Sequence, residues 1–175
     1  ILTGFLGGAA LVIDATAGER ERQSLEPLLA TPAGRGLIMS GKIAARIASA
    51  LDYAHENHVV HRDIKPANIM ITPGRDVKIM DFGIAQIPTG SRTQLGTVLG
   101  SPKYMAPEQV AGQATDGRTD IFALGVVLYE MLTGTTPFNG DNLSAIMYKV
   151  LNEDPAPPST VNPRVPPFFD RIVSR

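Results

Sequence analysis

The densest grouping of side chains able to do chemistry lies between residues 61 and 83. His61, Arg62, Asp63, Lys65 and Asn68 fall within one short stretch, and Asp81-Phe82-Gly83 follows soon after. Carboxylate, amide and ammonium groups in this arrangement suit charge neutralisation and the holding of hard cations, which prefer oxygen ligands and keep several waters. The chain contains no cysteine, which excludes thiolate nucleophiles, Cys-ligated metals and disulfides within it. Taken singly, each residue also has a plainer reading. Asp63 could cap a turn, Asn68 could be an ordinary turn residue, and Asp81-Phe82-Gly83 could be a strand ending in a glycine loop. A third motif, Ala106-Pro107-Glu108, lies beyond a segment rich in hydroxyls at Thr89, Ser91, Thr93, Thr97 and Ser101. The plain reading of that segment is a polar surface loop.

In this order and spacing, the three motifs resemble the catalytic loop, the metal-binding triplet and the end of the activation segment of protein kinases. Each fixed position would match by chance about one time in twenty, so their joint occurrence is not coincidence. Asp120 and Gly125 add the D-x-x-x-x-G pattern that opens the buried central helix of the same family. The resemblance covers residues 41–175. It implies an α+β fold, a mainly helical C-terminal lobe with a small β-hairpin region, and the N-terminal lobe absent.

The resemblance also implies roles, and the chemistry agrees with them, because phosphoryl transfer asks a protein mainly to position a hydroxyl and to neutralise phosphate charge. Asp63 is expected to accept the proton of the substrate hydroxyl. Lys65 is expected to neutralise the transferred group, and a lysine there resembles the serine/threonine branch. Asn68 and Asp81 would hold a magnesium ion, so ATP and Mg2+ are the expected cofactors and protein serines and threonines the expected acceptors. Arg62 resembles the arginine that clamps a phosphate on an activation loop, with Thr93 and Thr97 as candidate phosphorylation sites. Ser101 stands where the family usually has a threonine bridging the aspartate and the lysine. His61, Glu108 and Asp120 are expected to be structural. A buried carboxylate such as Asp120 must find donors, and the resemblance supplies the backbone amides of the catalytic loop. The glycine-rich strand, strand lysine and helix glutamate of a complete kinase are not found. Activity of this chain alone is therefore not expected.

The elements that must position these residues are legible as periodicities. Ile43, Ile47, Leu51 and Ala54 share one face of an amphipathic helix, with Arg46 and Glu56 off that face. His55 and His58 read as solvated residues at its end. Short β-branched pieces around Val59-Val60, Ile69–Ile71 and Val77–Ile79 follow, the last two joined through Thr72-Pro73-Gly74 as a hairpin. Residues 120–132 are apolar on nearly every side, which predicts a core helix capped by Thr119 and ended by Gly134. The six prolines between Asp154 and Pro167 predict an irregular surface segment. After it, Phe168, Phe169, Ile172 and Val173 fall at helical spacing.

Glycine, threonine and proline punctuation at Thr31, Pro32, Gly34 and Gly36 places a domain boundary at Ser40 and Gly41. Residues 1–40 read as a permease-like or linker segment outside the kinase fold, and residues 14–42 resemble a cytoplasmic segment of an ABC-type exporter permease. The apolar run Ile1–Ile13 is shorter than the eighteen or so residues needed to cross a bilayer. It reads as half of a membrane helix, so association with a membrane through residues 1–30 is expected, with the kinase lobe cytoplasmic. A formal net charge of −1 offers no basic field for a polynucleotide, and nucleic acid is not expected as a partner.

Overall fold

The computed structural model describes residues 35–72, 76–82 and 102–174. Helix α1, Arg35–Glu56, forms because its apolar positions recur at helical spacing and its contact face carries small residues. Ile47 and Leu51 have no solvent exposure, and Ala44, Ala45 and Ala48 are nearly as buried. Removing an Ile or Leu side chain from water contributes about 1.5–3 kcal/mol. The helix stops where the backbone turns left-handed at His58, φ 59°. His58 N–H donates to the His55 carbonyl and Val59 N–H to that of Ala54, the pair of bonds of a Schellman ending.

α1 starts at Arg35 rather than near Gly41, and it crosses residue 40 without a break. Leu37 is buried with Leu128, Leu132, Val165 and Phe169, so the helix that carries the expected boundary is tied to the core on both sides of it. Residues 1–34 lie outside the described residues.

Strands β1 (Ile69–Ile71) and β2 (Val77–Ile79) pair antiparallel in the register Ile69 to Ile79. Residues 73–75, at the expected turn, are outside the described residues. Val59-Val60 is not a strand. Its first residue closes the helix ending just described, and among the described residues it pairs with no strand.

Helix α2, Pro107–Val110, is a single turn opened by proline. Helix α3, Gly117–Thr133, is the central element. Its cap is Asp116, whose carboxylate accepts the Arg118 N–H at 2.8 Å, and not Thr119. Thr119 lies within the first turn and is buried, its hydroxyl donating to Glu108 Oε1 at 2.6 Å. Gly134 ends α3 at φ 80°, where a side chain would be strained. α1 and α3 share a core of Ile47, Leu51, Ile64, Ala123, Leu124 and Val127. Helix α4, Leu143–Asn152, packs Ile146 and Val150 against Phe138. Helix α5, Pro158–Val161, interrupts the proline-rich stretch. That stretch is not wholly on the surface, since the side chains of Pro158 and Val165 are fully buried. Helix α6, Asp170–Val173, follows a 3-10 turn at Pro167–Phe169. Phe169 is buried there but Phe168 is exposed, because one short turn can direct only one of two adjacent rings inward.

Candidate active site

The loop between α1 and β1 is shaped from below by α3. Asp120, in the first turn of α3, has no solvent exposure, and a carboxylate in that position needs donors on every lone-pair side. Its Oδ2 accepts the His61 N–H at 2.8 Å and faces His55 Nε2 at 2.8 Å, while Oδ1 accepts the Arg62 N–H at 2.6 Å. His55 is therefore not a solvated helix-end residue but a donor to the buried carboxylate. Position alone could not reveal this, because the contact spans 65 residues. His58 is exposed.

The His61 ring is fully buried. Its Nε2 donates to the Met80 carbonyl at 2.9 Å, its Nδ1 accepts the Asp63 N–H at 3.2 Å, and its ring meets that of Phe82 with centroids 4.7 Å apart. One histidine thus ties the loop to the segment after β2. Ile64, buried in the core between α1 and α3, anchors the loop on the other side of Asp63.

These anchors leave the chemical side chains facing out. Asp63 Oδ2 receives Lys65 Nζ at 2.7 Å and Asn68 Nδ2 at 3.0 Å, and Asn68 Nδ2 also donates to the Asp63 carbonyl at 2.8 Å. Asp63 Oδ1 accepts no hydrogen bond among the described residues. The Asp63 side chain is 43% exposed and that of Lys65 22%, so both groups reach solvent. Asn68 is buried in the 3-10 turn Pro66–Asn68. Its amide nitrogen is committed to Asp63, which turns the carbonyl oxygen of the side chain away from that carboxylate. Met80 N–H donates to the Asn68 backbone carbonyl at 2.9 Å, and this continuation of the hairpin pairing delivers Asp81 beside the loop. Asp81 is exposed.

Arg62 and Asp81 both have left-handed backbone, φ 68° and 57°. For non-glycine residues this costs about 1–3 kcal/mol each and persists only where the surroundings impose it. The buried Nε of Arg62 has no hydrogen-bond partner among the described residues. Thr93, Thr97 and Ser101 lie outside the described residues, as does Gly83.

At the far end of the site, a 3-10 turn at Pro102–Tyr104 leads to α2. Tyr104 donates its hydroxyl to Glu130 Oε2 at 2.7 Å. Burial, helped by that hydrogen bond and the negative charge of Glu130, holds the phenol well above the ordinary tyrosine range. Gln109, which no motif singles out, sends Nε2 to the Arg62 carbonyl at 2.8 Å.

A family model described as protein kinase domain matches residues 21–172, and the chain belongs to that family. The match begins inside residues 14–42, the stretch for which a permease resemblance is expected, and from residue 21 onward it is to the kinase domain and not to a permease. Serine/threonine-protein kinase PknB of Mycolicibacterium smegmatis is 47% identical over 135 residues, covering 75% of this chain and 22% of that protein. A probable serine/threonine-protein kinase of Streptomyces coelicolor is 45% identical over 130 residues, covering 73% of this chain and 19% of that protein. The probable serine/threonine-protein kinase PknB of Bifidobacterium longum is 45% identical over 132 residues, with shares of 74% and 19%. The chain thus spans about a fifth of the length of these curated relatives. No helix among the described residues is long and apolar enough to cross a membrane.

Proposed function

We propose that residues 41–175 are the C-terminal lobe of a serine/threonine protein kinase that transfers the γ-phosphoryl group of ATP to protein hydroxyls. The observation that best supports this is the Asp63 carboxylate, with one oxygen held by Lys65 and Asn68 and the other accepting no hydrogen bond among the described residues. A carboxylate so held can take the proton of a serine or threonine hydroxyl as it attacks. The Lys65 ammonium, bonded to Asp63 Oδ2, would neutralise the transferred group.

Magnesium fits the remaining donors. Among the described residues no three His, Cys, Asp or Glu side chains form a cluster able to hold a metal. One carboxylate, Asp81, and one amide oxygen, on Asn68, with phosphate and water oxygens make the kind of set this ion takes. When bound, the metal supplies neutralisation of phosphate charge. Arg62, whose buried Nε lacks a partner among the described residues, would pair with a phosphate on Thr93 or Thr97, and Ser101 would bridge Asp63 and Lys65. Glu108 serves structure by receiving Thr119. Membrane association through residues 1–30, with the kinase lobe cytoplasmic, belongs to the same proposal and is carried by the apolar run Ile1–Ile13.

The test is Asp63→Asn in the full-length protein, assayed with labelled ATP, magnesium and a serine/threonine acceptor. Transfer should fall about 10³-fold, within the range for a positioned acid or base, with the thermal midpoint unchanged. Activity within a few-fold of wild type would remove Asp63 from this role.

A further inference from the structure

Gln109 stands one residue beyond Ala106-Pro107-Glu108, in the first turn of α2, and both ends of its side-chain amide are engaged. Oε1 accepts the Ala106 N–H at 3.0 Å, bonding back to the residue that caps the helix. Nε2 donates to the Arg62 carbonyl at 2.8 Å. That carbonyl belongs to the peptide joining Arg62 to Asp63. The N–H of the same peptide donates to His61 Nδ1 at 3.2 Å, and the peptide before it is held through the Arg62 N–H by Asp120 Oδ1. Every polar group of the backbone between Arg62 and Asp63 therefore has a side-chain partner. The backbone at Arg62 is left-handed, φ 68°, a conformation an arginine keeps only when it is held there. Three partners fix it, and Gln109 is the one that comes from outside the loop and its supporting helix.

We infer that Gln109 is a positioning residue, coupling the placement of α2 to the orientation of the Asp63 carboxylate. The Arg62–Asp63 peptide sets the direction in which the Asp63 side chain leaves the backbone. A shift of Ala106 and Pro107 would draw Gln109 away, leave the Arg62 carbonyl without its donor, and let the strained residue relax. In this way the segment that ends at Glu108 acts on the catalytic carboxylate without touching it. The catalytic consequence rests on the phosphotransfer reading proposed above, whereas the backbone coupling does not.

Two variants of the full-length protein test this. Gln109→Glu keeps an acceptor for the Ala106 N–H but sets a carboxylate oxygen against the Arg62 carbonyl. Gln109→Met keeps the length of the side chain and removes both bonds. Gln109→Glu should lower kcat about ten-fold at pH 8, as expected when a part-buried carbonyl loses its donor, with KM for ATP unchanged. The ratio to wild type should recover as pH falls, because a protonated carboxyl can again donate to the carbonyl. Gln109→Met should lower kcat at every pH without recovery. In both, hydrogen exchange at the Asp63 amide should speed up while the thermal midpoint stays near that of wild type. Equal kcat in wild type and Gln109→Glu across the pH range would overturn the inference, as would a uniform loss that tracks a fallen midpoint. A wild type that transfers no phosphate would sink the functional reading alone. Amide exchange at Asp63 would then decide the coupling, faster exchange in both variants supporting it and unchanged exchange refuting it.

Discussion

Replacing Asp120 by asparagine measures how much of the site depends on one buried carboxylate. The charged group meets three donors, the His61 and Arg62 amides and His55 Nε2. An amide offers one acceptor oxygen, so one of the two carboxylate positions must become NH2. If the NH2 takes the Oδ1 position it opposes the Arg62 N–H. If it takes Oδ2 it opposes the His61 N–H, even though His55 could switch tautomer to accept from it. Either way one buried backbone donor faces another donor, at a cost of about 1–3 kcal/mol. The two surviving bonds also lose their charge assistance, roughly 1 kcal/mol each. The sum is about 3–5 kcal/mol, a large part of the 5–15 kcal/mol typical of a domain. At about 2–4 °C per kcal/mol for a domain of this size, calorimetry at neutral pH should show the midpoint falling by roughly 10 °C. Exchange at the His61 and Arg62 amides should accelerate, and in the full-length protein the proposed phosphotransfer should fall with them. A midpoint within about 2 °C of wild type, an effect of less than 1 kcal/mol, with both amides still protected, would refute the reasoning.

Asp116→Ala removes the cap of α3 and should cost about 1 kcal/mol, read as a lower urea midpoint. Hydrogen bonds from Arg118 hold the Asp116 carboxyl below its usual range. Its contribution is therefore present above the unfolded-state carboxylate pKa, about 3.9, and lost as pH falls through the lowered folded value. The difference between variant and wild type should shrink in acid, and a difference that grew there would contradict the sign. The Asp116 side chain is about half exposed, so solvent screening keeps the ionic part of the effect small. Leu37→Ala should cost about 2–4 kcal/mol, because Leu37 is buried against α3, Val165 and Phe169. A stability unchanged by this substitution would favour Ser40 as the edge of the packed domain.

What the sequence made legible is what local rules encode. The face Ile47–Leu51–Ala54 of α1, the pairing of Ile69–Ile71 with Val77–Ile79 and the left-handed stop at Gly134 each depend on residues close in the chain. The loop residues Asp63, Lys65 and Asn68 could likewise be picked out as a group, and the structure brings their side chains into mutual contact. Long-range pairings were not legible. His55 lies 65 residues from Asp120 and Gln109 lies 47 from Arg62, and neither spacing leaves a periodic trace. Thr119 looked like a cap because it precedes an apolar run, yet Asp116 starts the helix three residues earlier and Thr119 turns inward to Glu108. The start of α1 escapes local rules for a related reason. Gly34 and Gly36 look like punctuation, but Leu37 has a partner surface on α3 that no local window contains.

The long-range contacts have a common geometry, and it explains why the strained backbone at Arg62 survives. The residues proposed to do chemistry sit on loops, which by themselves would relax. α3 is rigid because it is capped at Asp116, closed at Gly134 and buried along Leu124, Val127 and Leu128. From this support Asp120 reaches up to the loop, Thr119 reaches across to Glu108 and Glu130 receives Tyr104. The loop bearing Asp63 and the segment ending at α2 are thus both fastened to one helix, and Gln109 joins them directly. Two elements held to the same rigid body and to each other form a closed loop of contacts. Breaking any one link loosens the geometry at Arg62 without unfolding the core, so a change in the position of α2 can act on Asp63 while α3 stays in place.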